Sequence, residues 1–216
     1  MNQVIDSILI LLTLTGFVLL GSSRLAACIK AVGIQGALLG LLALVVQSGD
    51  LSITGVVLAL IGATVKGILL PVLLFRAMRE ADTTREVEPL ISFNLSVLAG
   101  ALELAMSLWI GRHLRLPADP VSSFFVPAAI FTILAGLLVI VSRRKAITQV
   151  IGYLMLENGV YVFGTAVALR MPVLVELGIL LDVFVGVFVM GIAVFHISRQ
   201  FDHIDSLRLA SLNDRV

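Results

Sequence analysis

Seven stretches of about 20 mostly apolar residues follow one another along the sequence, separated by short polar or charged segments. A bilayer has a hydrocarbon core about 30 Å thick, which a helix of about 20 residues can cross. A helix also satisfies its backbone hydrogen bonds internally, as hydrocarbon requires. The sequence therefore predicts an all-α membrane protein with seven transmembrane helices. The predicted spans cover residues 4–20, 25–46, 53–75, 90–111, 121–141, 147–169 and 172–197.

The composition excludes most other classes of protein. Charged residues make up 13% of the 216 residues, about half the share found in soluble domains. The formal net charge of +1 provides no field that would attract nucleic acid. The single cysteine, Cys28, can form no internal disulfide and cannot hold a zinc or iron–sulfur site alone. The lipid bilayer is thus the expected environment, and neither nucleic acid nor a disulfide framework is expected.

The distribution of Lys and Arg predicts the orientation of the chain. These residues are enriched in cytoplasmic segments of membrane proteins. With the N-terminus outside, eleven of the 15 Lys and Arg residues fall in inside segments, whereas only Arg112, Arg115 and Arg170 fall in outside loops. We therefore expect an outside N-terminus and a cytoplasmic C-terminus.

Four ionisable residues lie deep within the predicted spans: Lys66, Glu103, Glu157 and Asp182. A charge near the bilayer centre costs at least about 2.5–3.5 kcal/mol, so its default interpretation is functional. At about 1.5 Å per residue, Glu157 and Asp182 lie about 15 Å from a membrane face, Lys66 about 14 Å and Glu103 about 20 Å. All four are therefore expected in one central band of the membrane.

The neighbours of these charges predict which way the side chains point. Small residues on a membrane helix mark close contact with another helix. Such residues share a helix face with Lys66 (Gly62), with Glu103 (Ala99, Ser107 and Gly111) and with Asp182 (Gly178 and Gly186). We therefore expect these charges to face protein rather than lipid.

Polar side chains also surround Glu157 along its own helix. Tyr153 and Tyr161 lie four residues to either side, and Asn158 is adjacent. Hydroxyl and amide groups can hydrogen-bond to either protonation state of a carboxyl group. These three residues are therefore predicted to support Glu157.

A band of deep acids with one lysine has two interpretations. Desolvation favours the neutral form of carboxyl groups in general, so that deep acids can accept and release protons and relay them sideways. Alternatively, Lys66 pairs with one acid and only holds two helices together. We predict a proton path through Glu157 and Asp182, extended or tuned by Lys66 and Glu103. No nucleophile, phosphate-binding or metal-binding motif occurs, so no catalytic, cofactor or metal site is predicted in this chain.

The last three predicted spans, about residues 121–199, resemble the small three-helix subunit K of respiratory complex I and the corresponding small membrane component of Mrp-type sodium/proton antiporters. The segments RRKAITQVIGYLMLENGVYVFG (143–164) and VELGILLDVFVGVFVMG (175–191) carry the similarity. Glu157 lies three residues after Leu154, which occupies the position of an acid in that family. The resemblance implies that the helix acids belong to a membrane proton path. The pattern of the family is matched at Ile151, Gly152, Asn158, Asp182 and Gly186.

Over essentially its full length the chain resembles the component E family of hydrogenase-4, membrane subunits of formate hydrogenlyase-type complexes built on group 4 nickel–iron hydrogenases. The segments ENG (157–159) and LLDVFVG (180–186) support this. The resemblance implies a four-helix region (1–120), a three-helix module (121–198) and a cytoplasmic tail (199–216).

That family also implies the setting in which the chain works. It would be a non-catalytic subunit in the cytoplasmic (inner) cell membrane, bound to antiporter-like membrane subunits and a peripheral hydrogenase arm. Nickel–iron and iron–sulfur centres would lie on those partner subunits. Two alternatives stay open: a subunit of a Mrp-type cation/proton antiporter, and a purely structural linker between antiporter-like subunits.

Overall fold

A computed structural model describes residues 2–46, 53–80, 89–114 and 122–167. The regular structure in these ranges is helical, which confirms the all-α prediction for this part of the chain. The last predicted span (172–197), with Asp182, and the tail (199–216) lie outside the described residues. The helices are α1 (Asn2–Gly21), α2 (Leu25–Val46), α3 (Ile53–Thr64), a π-helical turn (Val65–Leu69), α4 (Leu70–Glu80), α5 (Phe93–His113), α6 (Phe125–Ser142) and α7 (Ala146–Val167).

Five helical segments in the described ranges are long and apolar enough to cross a membrane, and they coincide with the first five predicted spans. The third of them, Gly55–Arg79, runs without interruption from α3 through the π-helical turn into α4. The 22-residue helix α7 lies where the sixth span is predicted. The total of seven spans and the orientation of the termini stay predictions.

A side-chain cap and a backbone hydrogen bond fix the start of α5. The Ser92 hydroxyl accepts a hydrogen bond from the Leu95 amide at 3.4 Å, which is the usual role of serine at a helix N-terminus. The Leu90 amide donates to the Ser142 carbonyl at 2.9 Å and ties this start to the end of α6. α5 therefore begins at Phe93, three residues after the predicted start of its span.

Helices α6 and α7 form the closest pair in the bundle because glycines remove the side chains between them. A Cβ atom added to Gly136 would lie 2.5 Å from the Leu156 backbone nitrogen. One added to Gly152 would lie 2.9 Å from the Gly136 carbonyl oxygen, and one added to Gly159 would lie 2.7 Å from the Ile133 nitrogen. This packing of small residues is the typical way in which membrane helices associate.

Gly136→Ala is expected to lower the free energy of unfolding by about 1–3 kcal/mol, because overpacking forces the two backbones apart. Unfolding in mixed micelles with increasing sodium dodecyl sulfate measures the change. Gly164→Ala on α7 is the matched control, since a Cβ there meets nothing within 4 Å. Equal stability of the two variants would contradict the close approach at Gly136.

The N-terminal helices pack directly against this pair. α1 lies against α2, α5 and α6, while α2 lies against α7 and the third span. Residues from both parts of the chain share the buried core, for example Ile29 with Ile151 and Leu12 with Ala128. The predicted boundary near residue 120 therefore separates segments that pack together in the structure.

The third span is irregular where Lys66 lies. Proline at position 71 has no N–H, and its ring clashes with the carbonyl of the residue four positions earlier in a regular α-helix. The turn before it widens instead, so that the Leu70 amide donates to the carbonyl of Val65, five residues back. The span thus accommodates Pro71 with a π-helical turn, and Lys66 is part of that turn.

Candidate functional site

A buried ion pair joins the third span to α7. Lys66 Nζ lies 3.0 Å from Glu157 Oε1, and the two side chains are only 8% and 3% exposed. Charged residues are almost never buried to this extent unless they are paired, because an isolated buried charge is very costly. The structure therefore brings together two of the four predicted charges, and Glu157 has a lysine as its direct neighbour.

An aromatic ring lies close to the same lysine. Lys66 Nζ is 5.5 Å from the centre of the Tyr161 ring, within the range of a cation–π interaction. Tyr161 follows Glu157 by one helical turn, so that the carboxylate and the ring contact the ammonium group from the same helix. Tyr161 therefore lies on the same side of α7 as Glu157, as its spacing of four residues predicts.

A second polar contact lies directly beside the ion pair. Asn158 Nδ2 donates to Gln35 Oε1 at 3.2 Å, and Gln35 Nε2 donates to the Leu12 carbonyl at 3.4 Å. Both amide side chains are at most 2% exposed. Since Asn158 is adjacent to Glu157 in sequence, polar groups continue from the third span through α7 and α2 to α1. The sequence did not single out Gln35, a buried polar residue within an apolar span.

Asn158→Leu is expected to cost about 1–3 kcal/mol of unfolding free energy, because the buried Gln35 amide then loses its donor. The double variant Gln35→Leu and Asn158→Leu should cost less than the sum of the two single variants, since it removes both partners. Unfolding in mixed micelles gives all three values. Strict additivity would show that the two side chains do not interact.

The other predicted residues lie elsewhere or outside the described ranges. Tyr153 lies on α7 one turn before Glu157, where it is partly buried against the core. Glu103 lies on α5, which packs mainly on α1 and α6 in the described part of the chain. Asp182 is outside the described residues, so its position relative to Glu157 stays a prediction.

Glu103 is a half-buried acid on the least enclosed of the helices. Its Oε2 atom is buried and has no hydrogen-bond partner among the residues that the structure describes. Gly100, one turn before Glu103, lies against Leu20 of α1, and Gly111, about two turns after Glu103, lies against Pro127 of α6. The predicted small-residue face of α5 is therefore a packing face, and Glu103 lies at its edge.

A third buried charged residue in the described ranges, Arg143, was not singled out by the sequence. Its guanidinium donates to the carbonyl oxygens of Ile91 and Leu20, each at 2.9 Å, and to Ser96 Oγ at 3.2 Å. It also lies 4.4 Å from the centre of the Phe93 ring. Arg143 is 1% exposed, so the residue counted as an inside-loop charge is in fact enclosed by the ends of α1, α5 and α6.

No metal-binding group is evident within residues 2–46, 53–80, 89–114 and 122–167. These ranges contain no cluster of three or more His, Cys, Asp or Glu side chains that could hold an ion. Cys28 is buried, with its Sγ 3.7 Å from the Ser22 carbonyl oxygen, and forms no disulfide there. The polar chemistry of the described site is therefore that of the Lys66–Glu157 pair and its amide neighbours.

Comparison with known proteins adds sequence relatives. The chain is 30% identical over 206 residues to the uncharacterized protein Rv0085 of Mycobacterium tuberculosis. The aligned region covers 94% of this chain and 93% of that protein. It is 29% identical over 147 residues to hydrogenase-4 component E of Escherichia coli K12 and of Shigella flexneri, which covers 68% of this chain and 68% of each relative.

Neither of the two other comparisons adds a relative. No family model matches the chain. No solved structure matches it either. The match to Rv0085 extends over 94% of the chain, and five apolar helices in the described ranges are long enough to cross a membrane. The chain belongs to the same protein family as Rv0085, and it is a multi-pass membrane protein related to component E of hydrogenase-4.

Proposed function

We propose that the chain is a non-catalytic membrane subunit of a proton-translocating, membrane-bound hydrogenase complex of the formate hydrogenlyase type. The similarity to hydrogenase-4 component E supports membership of such a complex. The apolar helices and the excess of Lys and Arg in the predicted inside segments support the cytoplasmic membrane, with the N-terminus outside.

In this proposal the Lys66–Glu157 pair is part of a lateral proton path. The observation that carries the proposal is the burial of both charges inside a mainly apolar bundle. A carboxylate held by a movable ammonium group can accept a proton when the cation withdraws and release it when the cation returns. Tyr153, Tyr161 and Asn158 would support Glu157 on the same helix.

The path would extend from this pair in two directions. Gln35 and Asn158 continue the buried polar groups towards α1, which also packs on α5, the helix that carries Glu103. Asp182, on the last predicted span, is proposed as the next acid after Glu157. The path would thereby cross the protein parallel to the membrane and meet antiporter-like subunits at its edges.

The proposal assigns electron transfer to other chains. Nickel–iron and iron–sulfur centres would lie on a peripheral arm, and this chain would hold no redox cofactor. Its part would be to hold and move protons at the Glu157 carboxyl group while the arm supplies the driving reaction. The chain would then couple the energy of the redox reaction to charge movement in the membrane.

A structural linker is the second candidate, because the same ion pair also fastens the third span to α7. A charged pair with this role could be replaced by apolar side chains without loss of coupling. An antiporter subunit of the Mrp type would show sodium-dependent transport. The three functions therefore differ in their expected partners and in their response to substitution at Lys66 and Glu157.

Purification of the tagged chain from its native membrane in a mild detergent tests the assignment to a complex. We expect a nickel–iron hydrogenase subunit and antiporter-like membrane subunits to co-purify in fixed proportion, with hydrogenase activity in the same fraction. Co-purification with antiporter subunits alone, together with sodium-dependent transport, would contradict the hydrogenase assignment. A chain that elutes without other membrane subunits would contradict both.

A further inference from the structure

We propose that Pro71 and Gly36 are positioning residues, which act through the π-helical turn to place the Lys66 ammonium group against Glu157. The inference rests on the proposed function in that this pair is taken to be the working pair. The proposal concerns the residues that determine the geometry of the pair. Pro71 and Gly36 are uncharged and would take no direct part in proton transfer.

Pro71 determines where the turn is wide. Its missing N–H and its ring exclude a regular turn over Gly67, and the Val65–Leu69 segment contains one extra residue in the turn. One residue corresponds to a rotation of about 100° around a helix axis. The widened turn therefore rotates the residues before it relative to α4. In a regular α-helix their side chains would point in other directions.

Gly36 determines how close the widened turn lies to α2. A Cβ atom added to Gly36 would lie 2.5 Å from the carbonyl carbon of Lys66 and 2.6 Å from its Cβ. Gly33 performs the same role for Pro71, whose ring would lie 2.9 Å from an added Cβ. The backbone of the turn therefore lies directly on two glycines of α2, with Gln35 between them in sequence.

The position of the backbone matters because it determines where the Lys66 ammonium group can reach. Its Nζ contacts Glu157 Oε1 at 3.0 Å, while its backbone contacts α2 at Gly36. A shift or rotation of the turn would move the ammonium group away from α7. A carboxyl group left in an apolar interior without its cation takes up a proton rather than stay charged.

The protonation state of Glu157 is therefore the readout. The purified protein in lipid nanodiscs is studied by infrared spectroscopy, and the Glu157 signal is assigned from the difference between the wild type and Glu157→Gln. We expect a carboxylate band in the wild type. In Pro71→Ala and in Gly36→Ala we expect its loss and a carboxylic acid C=O band in its place, as in Lys66→Met.

Gly62→Ala is the matched control, since it lies on the same span four residues before Lys66 and an added Cβ meets nothing within 4 Å. It should retain the carboxylate band. Retention of that band in both Pro71→Ala and Gly36→Ala would overturn the positioning role. If only one of them accumulates in the membrane, its spectrum decides the matter in the same way.

The same variants separate this inference from the proposed function. Loss of the carboxylate band with unchanged proton coupling in the complex would confirm the positioning role and contradict the proton path. In the Glu157→Gln background, Pro71→Ala should have no further effect on coupling, because the residue it positions Lys66 against is already altered. An added loss of coupling there would show that Pro71 acts on the fold as a whole.

Discussion

Lys66→Met is expected to lower the free energy of unfolding by about 3–5 kcal/mol, because it removes one partner of a buried ion pair and leaves the other without its counter-ion. Unfolding in mixed micelles at neutral pH measures the change. Lys30→Met is the matched control, since Lys30 is an exposed lysine on α2. Its effect should be within about 0.5 kcal/mol of zero. A loss for Lys66→Met as small as that of the control would contradict the burial of the pair.

The physical reason for so large an effect is the environment of the two side chains. At the surface of a protein such a pair contributes little, about 0–1 kcal/mol, because water solvates each charge separately. Lys66 and Glu157 have almost no contact with solvent, and an apolar bundle surrounds them. Each charge is therefore tolerated mainly because the other is present.

Arg143→Ala is expected to lower the free energy of unfolding by several kcal/mol, because a hydrogen bond that involves a charged group contributes about 1.5–3 kcal/mol and Arg143 donates several of them. The substitution would leave the carbonyl oxygens of Ile91 and Leu20 without their donor and open a cavity where the guanidinium lies. Accumulation in the membrane and unfolding in mixed micelles both report the loss.

The neighbouring residue Arg144 is the matched control for Arg143. It has the same side chain one position later but is exposed. Arg144→Ala should change the free energy of unfolding by no more than about 0.5 kcal/mol. Arg143→Lys should also be destabilising, because an ammonium group cannot reproduce the planar fork that serves several acceptors. Equal tolerance of alanine at the two positions would contradict the enclosure of Arg143.

The helices of the described ranges could be predicted from sequence because each depends on a local property, the length of an apolar run. The starts and ends agree to within a few residues, since the polar breaks between apolar runs are local signals as well. The predicted depths of Lys66 and Glu157 rest on a similar local property, because a helix rises by a constant amount per residue.

The pairing of the charges could not be predicted in the same way. The predicted depths put Lys66, Glu103 and Glu157 in one layer but do not say which helices are neighbours in that layer. Only the structure shows that Gly36 of α2 lies against the Lys66 backbone. Contact between α2, α7 and the third span depends on the whole bundle, and a single helix carries no signal for it.

The burial of Arg143 is a second feature that the local sequence does not predict. A basic residue at the end of an apolar run usually lies in a cytoplasmic loop, and its neighbour Arg144 is indeed exposed. Arg143 is buried because its acceptors come from Leu20 and Ile91, which are distant in sequence. No local pattern distinguishes the two arginines, so the difference between them is purely tertiary.

The most direct test of the proposed function is proton translocation by the complex that carries Lys66→Met together with Glu157→Leu. Replacement of both charges by apolar side chains removes the ion pair without leaving a lone buried charge, so that folding and assembly should be preserved. The measurement is the number of protons translocated per hydrogen molecule formed, in proteoliposomes that contain the purified complex. We predict that hydrogen is still formed and that translocation falls to background. A double variant that translocates as many protons as the wild type would contradict the proton path and leave the pair a structural fastening.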